Sequence, residues 1–279
     1  MSPHPVAAIC RTLGMSRSTA YRRGRGRAAP YQRRADPTVA AQIRMVIRQR
    51  ASYGHRRVTG LVNRTFGTHY NRKRIRRVMQ LEGLARPRPD RRRTGRAHRG
   101  RIRREHANER WCSDHFEVAC WNGEVVHIGF VLDCHDRECL AVLGRPHDLR
   151  AAEIHALMRA AVTARFPAGP ARPVVQWLSD NESIYTALET LVVAEQLHLA
   201  PITTPARSPQ SNGMSEAFVN TMRRDYVDGG DCSSAAAVLA QLPAWIADYN
   251  EVAPHSALGF QSPREYQRTQ QVRTQFDSA

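Results

Sequence analysis

Apolar residues recur at helical spacing in the first part of the chain. Residues 38–50, 58–66 and 71–84 each have such a stripe, and Asn71 stands where a cap would begin the third one. These patterns predict three short helices packed as an all-α unit of the helix-turn-helix kind. Residues 5–23 show a similar pattern interrupted by a glycine, which predicts a smaller helical hairpin ahead of that unit.

From about residue 106 the pattern changes to short apolar runs with alternation, which is typical of β-strands. An Asn122-Gly123 pair separates the first two runs and predicts a hairpin turn. Strands are predicted at 111–121, 125–136, 139–146, 173–180 and 198–204, and helices at 150–166, 183–197, within 205–227 and at 233–250. The order βββαβαβαα predicts an α/β domain with a mixed five-stranded sheet and helices on both faces.

Positive charge is concentrated at one end of the chain. The 279 residues have a formal net charge of +17. Residues 1–105 hold 29 Arg and Lys against four Asp and Glu, whereas residues 106–279 hold 13 against 21. A basic arm on an acidic body is typical of nucleic-acid binding, because neutralising phosphates drives the association. Five basic residues of the third helix, between Arg72 and Arg77, are predicted to lie largely outward; a merely solvated charged face is the alternative.

The cysteines and the apolar runs exclude several other classes of protein. The six cysteines form no CxxC pair and no zinc-finger spacing, which favours free thiols. The N-terminus lacks the apolar segment of a signal peptide, and no apolar run is long enough to span a bilayer. These features predict a soluble, intracellular protein with no membrane partner.

Three acidic residues stand where chemistry is expected. Asp114 interrupts an apolar strand, and Asp180 ends a strand as the chain leaves the sheet. Glu216 falls in the first turn of a helix, where a carboxylate also simply stabilises the helix dipole. Carboxylate oxygens suit Mg²⁺ or Mn²⁺. Two such ions would activate a nucleophilic oxygen and stabilise the leaving 3′ oxygen in a displacement at phosphorus.

Several phrases of the sequence resemble those of a known family. They are WCSDHFEV, FVLDCHDRE, WLSDN, RSPQSNGMSEAFVNTMRRDYV and YNEVAPHSALGFQSPREY. They closely resemble OrfB transposases of bacterial insertion sequences, in the IS-two branch of the IS-three family. The order of the three acids, with 35 residues between Asp180 and Glu216, is similar to that of the DDE transposase/retroviral integrase superfamily. The resemblance extends from about Tyr53 to Tyr266.

The resemblance implies an RNase H-like catalytic core in which Asp114, Asp180 and Glu216 are the catalytic, metal-binding triad. It implies metal-dependent cleavage of the ends of an insertion sequence and transfer of the new 3′ end to another phosphodiester. The implied partners are the terminal inverted repeats, target DNA, further copies of this chain, and an upstream-frame OrfA DNA-binding protein, fused or paired. The implied location is the bacterial cytoplasm, in association with the nucleoid.

Composition and resemblance together predict five segments and a set of DNA contacts. The segments are a basic helical hairpin and linker (1–37), a helix-turn-helix DNA-binding domain (38–85), a basic Arg/Pro linker (86–105), the RNase H-like catalytic core (106–230) and a C-terminal helical extension (231–279). The predicted DNA-contact residues are Arg56, Arg57, Arg72, Lys73, Arg74, Arg76, Arg77, Asn220 and Arg223.

Two positions depart from the pattern of the family. Glu182 stands where the family usually has Gly, which would permit positive φ and would not add a fourth carboxylate near the metals. Asn220 replaces a common Lys, whereas Arg223 keeps a positive charge. An alternative is therefore a catalytically inactive DNA-binding protein or regulator derived from a transposase. A nuclease that only hydrolyses is a third option, which the basic arm disfavours.

Overall fold

A computed structural model describes residues 5–24, 36–85, 104–169, 173–203 and 213–277 of the chain. Most of the predicted Arg/Pro linker and the loop before Glu216 lie outside the described residues. At the N-terminal end, α1 (Val6–Thr12) and α2 (Arg17–Gly24) form the predicted hairpin. Among the described residues, no helix has both the length and the apolar character needed to span a bilayer.

The predicted helix-turn-helix unit consists of α3 (Asp36–Gln49), α4 (His55–Thr65) and α5 (Arg72–Leu81). The side chain of Asn71 caps α5 by accepting the backbone N–H of Lys73 at 2.8 Å, as the sequence predicts. The three apolar stripes meet in one core, whose largest members are Ile43, Tyr53, Leu61, Ile75 and Met79. Burial of these stripes stabilises helices that are too short to persist alone.

Five strands form one mixed sheet: β1 (Arg110–Ala119), β2 (Val125–Asp133), β3 (Cys139–Arg145), β4 (Val175–Ser179) and β5 (Leu199–Thr203). Their order is β3-β2-β1-β4-β5. β1 pairs antiparallel with β2, and β2 pairs antiparallel with β3. On the other side of β1, β4 pairs parallel with β1, and β5 pairs parallel with β4. The predicted five-stranded mixed sheet is confirmed. The crossover topology places β1, the first strand of the domain, at its centre.

Within the described residues, six helices and two short 3₁₀ turns accompany the sheet of the α/β domain. The helices are α6 (Ala151–Arg165), α7 (Ser183–Thr186), α8 (Leu188–Gln196), α9 (Gly213–Asp225), α10 (Ala235–Glu251) and α11 (Pro263–Asp277), and the turns are Val227–Gly229 and Ser256–Leu258. The prediction of one continuous helix over 183–197 is wrong. Ala187 is extended there, with ψ of 140°, and the Thr190 hydroxyl donates to the Ile184 carbonyl across the break.

Alternate residues of β1 contact different helices, because strand side chains point in turn to opposite faces. Cys112, Phe116 and Val118 pack in one core with the apolar residues of α9 and α10. Trp111 packs on the other face with α6 and Trp177 of β4. Helices therefore cover both faces of the sheet, as predicted, and α9 lies over the face that Cys112 shares.

The helix-turn-helix unit is joined to the α/β domain by ion pairs. Three of its arginines each pair with an acid of the larger domain: Arg50 with Asp248, Arg57 with Asp225, and Arg64 with Glu265. The Asp225 side chain is only 2 % exposed, and it also accepts from Ser52 Oγ at 2.5 Å. Part of the basic surface of the unit is therefore used within the chain.

Candidate active site

The parallel pairing of β1 and β4 brings Asp114 and Asp180 together. Cys112 lies opposite Leu178 in this register, and each aspartate follows two residues later on its own chain. Because side chains alternate, both carboxylates project to the same face as Cys112 and Leu178, which share one core with α9. The register of the strands therefore places the two carboxylates on the same face of the sheet, near its centre.

The proximity of the two carboxylates affects the titration of Asp114. Burial, together with the negative charges of Asp180 and Glu182, raises the pKa of Asp114 to about 6. The backbone N–H of His115, which donates to Asp114 Oδ1 at 2.8 Å, acts in the opposite direction. This is a site where negative charge accumulates and where a cation would be stabilised.

Glu182 belongs to the same group of acids. Its backbone N–H donates to Asp180 Oδ1 at 3.1 Å, and its carboxylate lies 3.8 Å from Nδ1 of His115. Burial, and then the charge of Asp180, raises the pKa of Glu182. Its backbone φ is −67°, so this position has no need of a glycine. The backbone therefore accommodates the departure from the family, and the added charge lies at the edge of the site.

Glu216 lies on the helix that covers this face of the sheet. The ring of Phe218, two residues later on α9, packs against Phe130 with centroids 4.4 Å apart. Phe130 is directly opposite Asp114 in the β1–β2 register. Glu216 itself is exposed, and within the described residues no three acidic, histidine or cysteine side chains lie close enough to hold one ion. The structure thus brings two of the predicted triad together and leaves the third on the adjacent helix.

Two predicted DNA contacts share the face of α9 that carries Glu216. Asn220 and Arg223 follow it by four and seven residues, which is one and two helical turns, and both are exposed. A row of carboxylate, amide and guanidinium therefore extends along one side of α9. This arrangement is the predicted one, and its contact with DNA stays a prediction.

The basic residues of the helical unit fall into two groups. Arg56, Arg72, Lys73 and Arg76 are exposed, as predicted. Arg74 and Arg77 depart from the expectation that the five basic residues lie largely outward, because they pair with the Asp36 carboxylate of α3 at 3.2 and 2.6 Å. Arg57 is also engaged, because it pairs with Asp225 and lies over the Tyr53 ring at 4.2 Å. These three arginines therefore form ion pairs within the chain.

Two side chains that the sequence did not assign to the site lie near the carboxylates. Tyr185 is buried in the core on the other face of the sheet, with its hydroxyl 3.5 Å from Ser113 Oγ, and burial raises the pKa of Tyr185. His115 lies next to Glu182, and its Nδ1 is buried without a hydrogen-bond partner among the described residues. Neither residue carries a motif of its own. Only the strand register shows that β1 places His115 near the loop after β4.

Three family matches together extend from residue 34 to residue 263. Residues 34–93 match an HTH-like domain, residues 104–209 match an integrase core domain, and residues 198–263 match a second integrase core domain family. This fold and site therefore define a class of proteins in which an HTH-like domain, of a DNA-binding type, precedes an integrase-type core.

Curated relatives narrow that class. Transposase InsD for insertion element IS2D of Escherichia coli is 40 % identical over 238 residues, which cover 84 % of this chain and 79 % of that protein. An uncharacterized protein of insertion element IS136 from Agrobacterium fabrum is 44 % identical over 181 residues, covering 64 % and 93 %. The catalytic core domain of BIV integrase, a solved structure, is 18 % identical with a TM-score of 0.41, covering 60 % of this chain and 99 % of its own. The chain belongs to the family of insertion-element transposases with an integrase core domain.

Proposed function

We propose that Asp114, Asp180 and Glu216 together hold divalent metal and carry out the strand cleavage and strand transfer of an insertion-element transposase. The observation that supports this most is the strand register that sets Asp114 beside Asp180 under α9. Two carboxylates on adjacent parallel strands, faced by a helix that presents a third, form an oxygen-only donor set.

The residues present fit Mg²⁺ or Mn²⁺. Burial and the nearby charge of Asp180 both disfavour the ionised form of Asp114 and raise the pKa of Asp114. A divalent cation offsets that repulsion, and Glu216 supplies the remaining carboxylate from α9. Bound metal, as two ions in our proposal, supplies electrophilic stabilisation of the phosphate and a lower pKa for the attacking hydroxyl or water.

Each chemical step is a displacement at phosphorus. In cleavage, water attacks a phosphodiester at the end of the element, and the bond to the 3′ oxygen breaks to leave a 3′ hydroxyl and a 5′ phosphate. In transfer, that 3′ hydroxyl attacks a target phosphodiester and releases a target 3′ hydroxyl, so that one phosphodiester is exchanged for another. Arg223 neutralises and Asn220 hydrogen-bonds the backbone phosphates that lie along α9.

The partners follow from this chemistry. The strongly basic residues 1–105 bind duplex DNA through its phosphates, with the exposed Arg56, Arg72, Lys73 and Arg76 as contacts. Joining two ends of one element requires at least two active sites, so we propose a homo-oligomer on DNA. We further propose an upstream-frame OrfA protein as a fused or paired partner. Because the substrate of this transposase is DNA, we propose that it acts at the nucleoid, in the bacterial cytoplasm.

A strand-transfer assay tests the proposal. Purified protein is mixed with duplex terminal-repeat DNA and Mg²⁺ or Mn²⁺, and joined product is quantified against an EDTA control. We expect Asp114→Asn and Asp180→Asn to reduce the rate by more than about hundredfold, because metal stabilisation of the transition state is worth several kcal/mol.

Glu195→Gln is the matched control, since Glu195 is an exposed acid on α8, which packs on the opposite face of the sheet. It should retain the wild-type rate. Wild-type protein that binds the DNA but yields no joined product with either metal would contradict the proposal and support the inactive DNA-binding alternative.

A further inference from the structure

A cavity of about 470 Å³ lies where the helix-turn-helix unit meets the catalytic domain. Its walls come from α4, from α9 and from the loop at residues 253–260. Four arginines line the cavity: Arg56, Arg57, Arg137 and Arg224. The described lining residues include no aspartate or glutamate. So dense a positive lining is suited to an anion.

Two of these arginines already share one carboxylate. Arg57 pairs with Asp225 at 2.5 Å, and Arg224 pairs with the same oxygen at 2.7 Å. Arg56 and Arg137 form no ion pair with any residue that the structure describes. The cavity therefore keeps a substantial excess of positive charge with guanidinium groups available to a ligand.

The backbone of Arg137 is held in an unusual conformation. Its φ is +64°, in the left-handed region that favours glycine, and its N–H donates to the Asp133 carbonyl at 3.0 Å. A glycine would adopt this turn without strain. An arginine kept in a strained turn whose side chain lines an anion-type cavity indicates that the side chain itself is used.

His255 adds a second, independent observation. It lines the cavity, and its Nε2 is buried without a hydrogen-bond partner among the described residues. Burial, together with the charges of Arg137 and Arg57, lowers the pKa of His255 to about 4, against a backbone hydrogen bond to Tyr249 that acts in the opposite direction. A buried polar atom without a partner is costly. An anion beside the ring would favour the protonated imidazole, in which Nε2 carries a hydrogen that the anion accepts, and this would remove that cost.

The cavity borders the candidate catalytic face of α9. Three of its lining residues lie on α9, each one position after a residue of the row that begins at Glu216. Ala217 follows Glu216, Thr221 follows Asn220, and Arg224 follows Arg223. One position corresponds to about 100° around a helix, so the two rows lie on neighbouring sides. A strand of DNA that crosses α9 at the carboxylates can therefore place a nearby phosphate in the cavity.

We propose that this cavity binds a backbone phosphate of the DNA on which the protein acts. The phosphodiester oxygens accept hydrogen bonds from Arg56 and Arg137, one on the helix-turn-helix unit and one on the catalytic domain. Arg57 and Arg224, fixed by Asp225, add to the positive field. The proposal rests on the proposed function, which supplies DNA as the ligand. It adds a contact that joins the two domains on one strand.

Binding of terminal-repeat duplex to the full-length chain tests the proposal. Affinity is measured over a range of salt concentrations for wild type, Arg56→Gln and Arg137→Gln. We expect each substitution to weaken binding about tenfold, as for a lost charged hydrogen bond. Each should also make the slope of log affinity against log salt shallower by about 0.9, the value for one phosphate contact on duplex DNA.

Arg159→Gln is the matched control, because Arg159 is an exposed arginine on α6, across the sheet from the cavity. It should leave the slope unchanged. Arg56 is exposed, so its substitution is compatible with the fold even if Arg137→Gln unfolds the protein, which a thermal melt would show. Unchanged affinity and slope in a folded Arg56→Gln variant would overturn the proposal.

A second measurement separates DNA from a free anion. The Nε2 resonance of His255 is followed by nuclear magnetic resonance while inorganic phosphate or duplex DNA is added. A shift with DNA that is lost in Arg56→Gln supports the proposal, whereas a shift with inorganic phosphate alone would assign the cavity to a small anion and overturn it. Strand transfer by the wild type together with unchanged slopes would refute only the cavity, since the proposed function would stand.

Discussion

Asp114 combines a structural cost with a proposed catalytic role. The side chain is partly buried beside Asp180, and the pKa of Asp114 is raised to about 6 from an ordinary value of 3.8. The folded state therefore binds a proton at Asp114 more tightly than the unfolded state does. Stability contributed by the neutral form is present below about pH 4 and is lost as the pH rises through about 6.

A substitution at this residue should therefore stabilise the metal-free protein. At pH 7.5 in EDTA we expect Asp114→Asn to raise the free energy of unfolding by on the order of 2 kcal/mol, because it removes a partly buried charge. At pH 4 the gain should disappear. Urea unfolding at the two pH values measures the difference, and an equal effect at both would show that the charge of Asp114 is not the cause.

At the scale of residues, the sequence could identify the acids but not their neighbours. Asp114 stands out because carboxylates are rare inside apolar strands, and Asp180 stands out because it ends a strand. Glu216 stands out only by its spacing from Asp180, which is similar to that of the resembled superfamily. The pairing of Arg74 and Arg77 with Asp36 could not be predicted, because it depends on how two helices cross. The approach of Glu182 to His115 likewise depends on the register of β1 against β4.

At the scale of elements, α9 is positioned by aromatic packing. Phe218 contacts Phe130 on β2 and meets the edge of the Tyr249 ring of α10 at 4.9 Å. Met222 is fully buried one turn later. Glu216 is exposed in the first turn of the same helix, so the apolar contacts fix the height and rotation of the candidate catalytic residue relative to the sheet.

Removing the Phe218 ring should therefore affect both stability and activity. We expect Phe218→Ala to destabilise the protein by about 3–5 kcal/mol, as for other buried aromatic rings, and to slow strand transfer at temperatures where the protein remains folded. Phe218→Leu, which fills most of the space, should lose less of both. Denaturant unfolding and strand-transfer rates at low temperature measure the two effects. Full activity in folded Phe218→Ala would show that α9 needs no support from the ring.

Periodicity predicted most elements because the apolar stripes of helices and the alternation of strands reflect burial. It failed at residues 183–197, where the apolar positions continue through the break at Ala187. The break is fixed by hydrogen bonds of Thr190 to the Ile184 carbonyl and to His155 of α6. Such tertiary contacts are invisible in a one-dimensional pattern.

At the scale of the whole molecule, ion pairs determine how the DNA-binding unit sits on the catalytic domain. Asp225 is the most buried of the acids involved, and it accepts from Ser52, Arg57 and Arg224. Burial alone would raise the pKa of Asp225, but these hydrogen bonds and charges lower it. The pairing therefore persists at neutral pH and is lost only as the pH falls below about 4. Sequence patterns could not predict it, because its partners lie more than 160 positions apart.

Neutralising Asp225 should weaken the contact between the helix-turn-helix unit and the catalytic domain. We expect Asp225→Asn to cost about 3–5 kcal/mol of stability, because it leaves arginines partly buried without their counter-charge. Limited proteolysis should then cut between the two domains faster than in the wild type. As a control, Asp228→Asn alters an exposed acid just beyond α9 and should change neither property. Cleavage of Asp225→Asn at the wild-type rate would show that the contact between the two domains does not depend on this residue.

The metal-dependent strand-transfer rate of Glu216→Gln is the decisive measurement for the proposed triad, because strand pairing brings Asp114 to Asp180 but does not bring Glu216 to either. It is measured with terminal-repeat DNA in Mg²⁺ and in Mn²⁺, beside wild type and Glu195→Gln. We expect a fall of more than about hundredfold with both metals, with DNA binding retained and the control unaffected. A Glu216→Gln variant that joins DNA at the wild-type rate would contradict the proposed triad.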